Sequence, residues 1–176
     1  MPDEPMSFEQ YARARLPVLV GIARGICRDR DLAQDVLQEV LLRAHRRWPS
    51  IGPMDGRDAY VRRMLVNELI SWRRRWGRSV PSPAELLDEV TPDSSERFAL
   101  REELLAEVRR LPVKQRAVIV LRYFLDLSDD EIAADLGCSR GTVRVHASRA
   151  LRTLRIRRTG DSAGISDPTI DEEVTG

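Results

Sequence analysis

The stretch DLSDDEIAADLGCSRGTVRVHASRALRTLR, residues 126–155, has the spacing of two short helices joined by a tight turn. Ser128 is placed to cap the first helix, and Glu131 three residues later completes a capping box. Ile132, Ala133 and Leu136 then share one apolar face. Gly137 ends this helix where a left-handed residue is wanted, and Cys138 is small enough to pack beneath the turn. Ser139 caps the second helix, in which Val143, Ala147, Ala150, Leu151 and Leu154 face inward and Arg140, Arg144, Arg149 and Arg152 are left for solvent or phosphate. This is the order of parts in a helix-turn-helix that lays its second helix in a DNA major groove. A simple packing unit of two amphipathic helices has similar spacing; the lack of any acid from Arg140 to Arg158 favours DNA.

Working outward, 176 residues allow one or two small domains. Hydrophobic residues make up 42% but aromatics 5%, so the cores are built from Leu, Val, Ile and Ala, which favours helices. The net charge of +1 hides a segregation. Residues 43–78 hold ten arginines against Asp55, Asp58 and Glu68, residues 85–107 are acidic, residues 140–158 are basic, and the tail is acidic. Two basic blocks separated by an acidic one point to two surfaces for a polyanion. Cys27 and Cys138 are far apart, with no CxxC and no clustered histidine, which argues against zinc. No signal peptide and no apolar run of membrane-spanning length is evident, so the expectation is a soluble cytoplasmic chain.

Upstream of the motif the pattern stays helical. Residues 8–15 and 17–27 read as two helices, or one kinked at Pro17. Asp31 is placed to cap a further helix whose apolar stripe is Val36, Leu37, Val40, Leu41, Ala44 and Trp48, stopped by Pro49. Residues 50–58 read as a loop, and a helix from about Ala59 to Trp76 ends in the arginine-dense WRRRW. Residues 79–95, rich in proline, serine and acid, read as a mobile linker. Helix resumes near Glu96, and Pro112 opens the one that leads into the motif. The fold class is therefore all-α: two small helical domains, residues 1–78 and 101–158, joined by a flexible acidic linker, residues 79–100, with a disordered acidic tail, residues 159–176.

Two segments in this order carry a family resemblance. DRDLAQDVLQEVLLRAHRRW with AYVRRMLVNELISWRRR resembles region 2 of the extracytoplasmic-function sigma factors of bacterial RNA polymerase. LPVKQRAVIVLRYFLDLSDDEIAADLGCSRGTVRVHASRALRTLR resembles their region 4. The arginine-rich end of region 2 looks most like the actinobacterial SigE-like group. The resemblance implies an alternative sigma factor that binds core RNA polymerase and directs promoter recognition and opening, without catalysis or cofactor of its own.

By position, the resemblance places Asp35, Gln38, Glu39 and Leu42 against the clamp helices of the largest polymerase subunit. It places Val118, Leu121 and Phe124 near the flap tip of the second-largest. For the −10 element it implies Tyr60, Arg62, Arg63, Asn67, Trp72, Arg73, Arg74 and Arg75, with core packing an equal reading for Trp72. A protein that opens DNA needs such stacking surfaces and phosphate contacts for unstacked bases. For the −35 element it implies Ser139, Arg140, Thr142, Arg144, His146 and Arg149. The chain departs from the family at Gln34, where an acid is usual, and at Val145 and His146, where Ser and Arg are frequent. Promoter DNA and core polymerase are the implied partners, with an anti-sigma factor as a further one; no small-molecule substrate and no membrane insertion are implied.

Two other classes compete. A stand-alone dimeric helix-turn-helix regulator explains residues 126–155 but leaves the first 78 residues unexplained. A DNA-acting enzyme needs a nucleophile with supporting groups or a carboxylate metal cluster, and His45 and His146 each sit in a basic helix with neither.

Overall fold

The computed structural model describes residues 6–76 and 104–162, and every regular element among them is helical. The expected linker and all but the first residues of the expected tail lie outside the described residues. In order the helices are α1 (Phe8–Ile26), α2 (Arg30–Arg46), α3 (Trp48–Ile51), α4 (Arg57–Trp76), α5 (residues 104–110), α6 (Val113–Tyr123), α7 (Asp129–Leu136) and α8 (Arg140–Ser162).

Local chemistry sets most boundaries. Ser7 and Gln10 form a capping box that starts α1. The helix then runs unbroken through Pro17, which resolves the choice between one helix and two. Pro17 and Arg13, whose carbonyl loses its usual donor, are both exposed, so that carbonyl is not stranded in the core. The cap of α2 is Asp29, not Asp31: its carboxylate accepts from the Leu32 N–H at 3.1 Å. Pro49 does not end α2, which stops at Arg46; it lies in the first turn of the short α3, where a missing N–H costs nothing. The expected loop over residues 50–58 is thereby shortened from both ends, since α4 begins at Arg57. Pro112 is the N-cap residue of α6 rather than its first helical residue. Helix α8 continues to Ser162, past the expected end of the domain at Arg158.

The buried residues form one continuous apolar cluster. In the first half, α1, α2 and α4 contribute Ile22, Ile26, Val36, Val40, Val61 and Leu65, each 1% exposed or less. In the second half, α6 packs on α8, and Val118, Leu121, Val143 and Ala150 of these helices are fully buried. The halves meet along two seams, α1 against α6 and α4 against α7. At the first seam the backbone of α1 comes close. A Cβ on Gly25 would stand 2.9 Å from Val120 Cγ2, and one on Gly21 2.7 Å from the Phe124 ring. Helix α6 is thus enclosed on nearly all sides, and Arg116 is buried within it, donating to the carbonyls of Ile26 at 2.6 Å, Arg109 at 2.5 Å and Leu111 at 3.1 Å. Arg28 adds bonds from the loop after α1 to the Arg109 and Arg110 carbonyls at 2.6 and 2.9 Å.

Candidate nucleic-acid interface

The turn between α7 and α8 is built by caps at both ends. Ser128 and Glu131 form the predicted capping box, with Glu131 accepting from the Ser128 N–H at 2.9 Å. Gly137 takes φ 60° and ψ 40°, the left-handed conformation that ends a helix without a Cβ penalty. Ser139 Oγ accepts from the Thr142 N–H at 3.1 Å and so caps α8. Val143, Ala147, Ala150 and Leu154 are buried. The opposite stripe of α8 is open: Gly141, Arg144, Val145, Ser148, Arg149 and Arg152 are all exposed. Their spacing of i, i+3, i+4, i+7, i+8 and i+11 makes one face, the one a groove would meet. Val145 and Ser148 were missed because the sequence was read for residue type rather than for face.

Acids at the start of α7 hold the basic residues of α8 in place. Asp129 accepts from Arg122 and, at 3.2 Å, from Arg144 Nε, while Asp130 lies 3.5 Å from Arg140. Partial burial opposes ionisation of Asp129, but the two guanidiniums prevail and hold its carboxyl below the usual range. These acids also face the positive end of the α7 dipole. A groove of about 640 Å³ opens here, lined by Arg122, Asp129, Arg144, Ser148, Arg152 and Arg155.

Two of the residues expected at the −35 element point elsewhere. Thr142 and His146, one turn apart, line a cleft of about 420 Å³ together with Asn67, Glu68 and Lys114. Among the described residues His146 Nδ1, buried there, has no hydrogen-bond partner, and burial, then the charges of Lys114 and Arg149, push its pKa down. Of the residues expected at the −10 element, Asn67 lines this cleft, while Arg62 and Arg63 meet α7 at Asp135. Arg62 is 15% exposed on its side chain and donates to Asp135, itself 1% exposed, at 2.5 Å. Arg63 lies 3.9 Å from the same carboxylate. Asp135 is pushed above its usual range by burial, with Arg62 working against that shift. Tyr60 and Trp72 are half-buried and pack against the core, so packing holds for Trp72 in this arrangement. Arg73, Arg74 and Arg75 belong to the last turns of α4, and their side chains lie outside the described residues.

The expected polymerase contacts divide in two. Asp35, Gln38, Glu39 and Leu42 all lie exposed on α2, with Leu42 57% accessible and Glu39 paired with Arg43. Val118 and Leu121 correct the sequence reading: both are fully buried, because α6 is enclosed by α1 and α8 and has no face to offer there. At its end, Phe124 lies against Gly21 and stays 48% exposed, beside Tyr123 at 61%, which the sequence reading did not single out.

Comparison with known proteins fits this layout. Residues 11–79 match the family described as Sigma-70 region 2, and residues 101–154 the one described as Sigma-70, region 4. The chain is 40% identical over 153 residues to the RNA polymerase sigma-E factor of Streptomyces avermitilis, covering 86% of this chain and 85% of that one. The chain belongs to the sigma-70 family. The sigma-E factor of Streptomyces coelicolor is 39% identical over the same length, covering 86% of each chain. Among solved structures, the sigma factor RpoE of Bartonella quintana, in complex with the anti-sigma factor NepR, superposes with a TM-score of 0.70 at 25% identity. The match covers 84% of this chain and 94% of that one. CnrH, in complex with the cytosolic domain of CnrY, shares the fold with a TM-score of 0.62 at 21% identity, covering 88% of each chain. The sigma factor is thus an all-helical, non-enzymatic initiation factor of the extracytoplasmic-function type, whose regions 2 and 4 are those that bind core RNA polymerase and promoters in the family. Among the described residues no helix is long and apolar enough to cross a membrane.

Proposed function

We propose that this sigma factor works in the cytoplasm, where it docks on core RNA polymerase through the exposed α2 face and brings it to a two-part promoter. In this reading Asp35, Gln38, Glu39 and Leu42 meet polymerase. The exposed stripe of α8 reads the −35 element, with Arg140, Arg144 and Arg149 its basic contacts. Helix α4 engages the melted −10 strand through Asn67, Arg62, Arg63 and the Arg73–Arg75 run. The observation that carries the reading is the α8 stripe: a capped turn presents an exposed face that holds Arg144, Arg149 and Arg152 and no acid, opposite a buried apolar one. Arg62 and Asn67 face α7 and α8 in the packed form, so engagement of the −10 strand requires α4 and α7 to part. The exposed Tyr123–Phe124 corner supports a second polymerase contact in place of Val118 and Leu121. An anti-sigma factor as a further partner is supported by the likeness to a sigma factor solved with one.

Run-off transcription with purified core polymerase and templates from upstream of the factor's own gene tests this. The expected result is a transcript that requires the sigma factor, lost when Leu42 is changed to Asp together with Glu39→Arg. No transcript, and no binding to core polymerase, overturns it in favour of a stand-alone regulator.

A further inference from the structure

Arg144 and Asp129 belong to different helices of the motif, and their pairing has a geometry that generic charge attraction does not require. Asp129 is the first residue of α7, with a side chain 20% exposed; Arg144 stands in the second turn of α8, 61% exposed. One carboxylate oxygen accepts from Arg144 Nε at 3.2 Å, and the other is held by Arg122 at the end of α6. The carboxylate is therefore clamped from behind and grips the guanidinium by its side edge. Among the described residues, the two Nη groups of Arg144 make no hydrogen bond, so the outer edge of the fork is open. That edge carries two parallel donors, which match the N7 and O6 acceptors of guanine in the major groove. Fixing the plane beforehand removes rotamer freedom that would otherwise be lost on binding. A phosphate contact needs no such fixing. A carboxylate on the DNA-facing side of a basic domain moreover weakens attraction to phosphate, so non-specific affinity does not account for Asp129.

We propose that Asp129 is a positioning residue that aims Arg144 at a guanine of the −35 element, making this pair the determinant of one base-pair choice. The inference rests on the assignment of α8 to that element.

The test uses the full-length factor reconstituted with core polymerase on an active promoter, each −35 base pair being substituted in turn. For the unaltered factor, substitution of one G·C pair is expected to weaken binding on the order of 10- to 100-fold. Arg144→Lys keeps the charge but lacks the fork, and its exposed position leaves the fold untouched. It is expected to abolish discrimination at that pair while sensitivity at the other positions and the salt dependence persist. Asp129→Ala is expected to abolish discrimination at the same pair, with binding to the substituted promoters undiminished. If R144K lowers binding equally on every promoter, Arg144 is a phosphate contact and the proposal fails. If R144K loses discrimination and D129A keeps it, Arg144 reads the base but Asp129 does not position it, and the proposal again fails. An unaltered factor indifferent to every −35 substitution overturns the α8 assignment itself, and the proposal with it.

Discussion

Arg116 shows what one buried cation does for this fold. Its guanidinium joins three carbonyls from the end of α1, the end of α5 and the α5–α6 turn, and the Arg109 carbonyl among them also accepts from Arg28. Arg116→Leu fills similar space but strands the Ile26 and Leu111 acceptors in the core, while Arg109 keeps its bond from Arg28. We expect a loss of about 3 kcal/mol, since each buried unpaired polar group costs roughly 1–3 kcal/mol, measured by urea denaturation. His146 gives a pH signature. Its pKa lies below the ordinary 6.5 in the folded chain, so below pH 6.5 the unfolded chain takes up the proton first. Its contribution to stability is therefore complete above about pH 6.5 and is lost as the pH falls from there through the lowered value. His146→Asn should flatten the stability profile across that window, and an unchanged profile would assign the dependence to other groups. Arg116 was invisible to sequence reading because an arginine inside an apolar run looks like the solvent edge of an amphipathic helix. Only its partner carbonyls, as far as 90 residues away, reveal it as core.

At the scale of elements, α7 and its turn were the most legible part, because every determinant lies within a few residues of what it determines. Ser128 and Glu131, Gly137, and Ser139 each act on backbone groups one to four positions away. The same locality supports a clean prediction. A Cβ on Gly137 meets nothing within 4 Å, so Gly137→Ala isolates the cost of the left-handed backbone. That cost is about 1 kcal/mol, whereas Gly25→Ala has ordinary helical geometry and must instead push Val120 aside. Thermal melts should show both variants destabilised, with Gly137→Ala alone rescued by Asn at the same position, because Asn tolerates that conformation. Boundaries were less legible than elements for a related reason. Asp29 and Asp31 both precede the Val36–Val40 stripe, and cap geometry alone distinguishes them. The polymerase-facing assignment of Val118 and Leu121 failed at this same scale. Burial of α6 on nearly all sides depends on α1 and α8 together, and the periodicity of α6 alone does not show it.

For the whole molecule, the decisive contact is one between residues 73 positions apart. Arg62 on α4 and Asp135 on α7 were assigned to DNA and to nothing, respectively, yet they form the polar centre of the second seam. Asp135 is 1% exposed, so removing its partner leaves a carboxylate that burial already disfavours in its charged form. Breaking a buried pair from one side costs about 3–5 kcal/mol. Arg63, 3.9 Å away, offsets part of this, which places Arg62→Ala near the lower end. About 3 kcal/mol shifts an equilibrium between packed and parted halves more than 100-fold. The carboxylate regains water most directly if α7 lifts from α4, so the strain is relieved by separation rather than by unfolding of either half. Small-angle scattering of the free factor should therefore show a larger radius of gyration for Arg62→Ala, with helical content unchanged. The double substitution Arg62→Met and Asp135→Leu replaces the pair with apolar bulk, which is often neutral or stabilising at such sites. It should return the chain to its compact size. If Arg62→Ala stays compact, the α1–α6 seam, with Phe124 over Gly21 and Arg116 bonded to the end of α1, is sufficient to hold the halves together. The residues that face α7 and α8 across the cleft would then be freed by polymerase or DNA acting on that first seam.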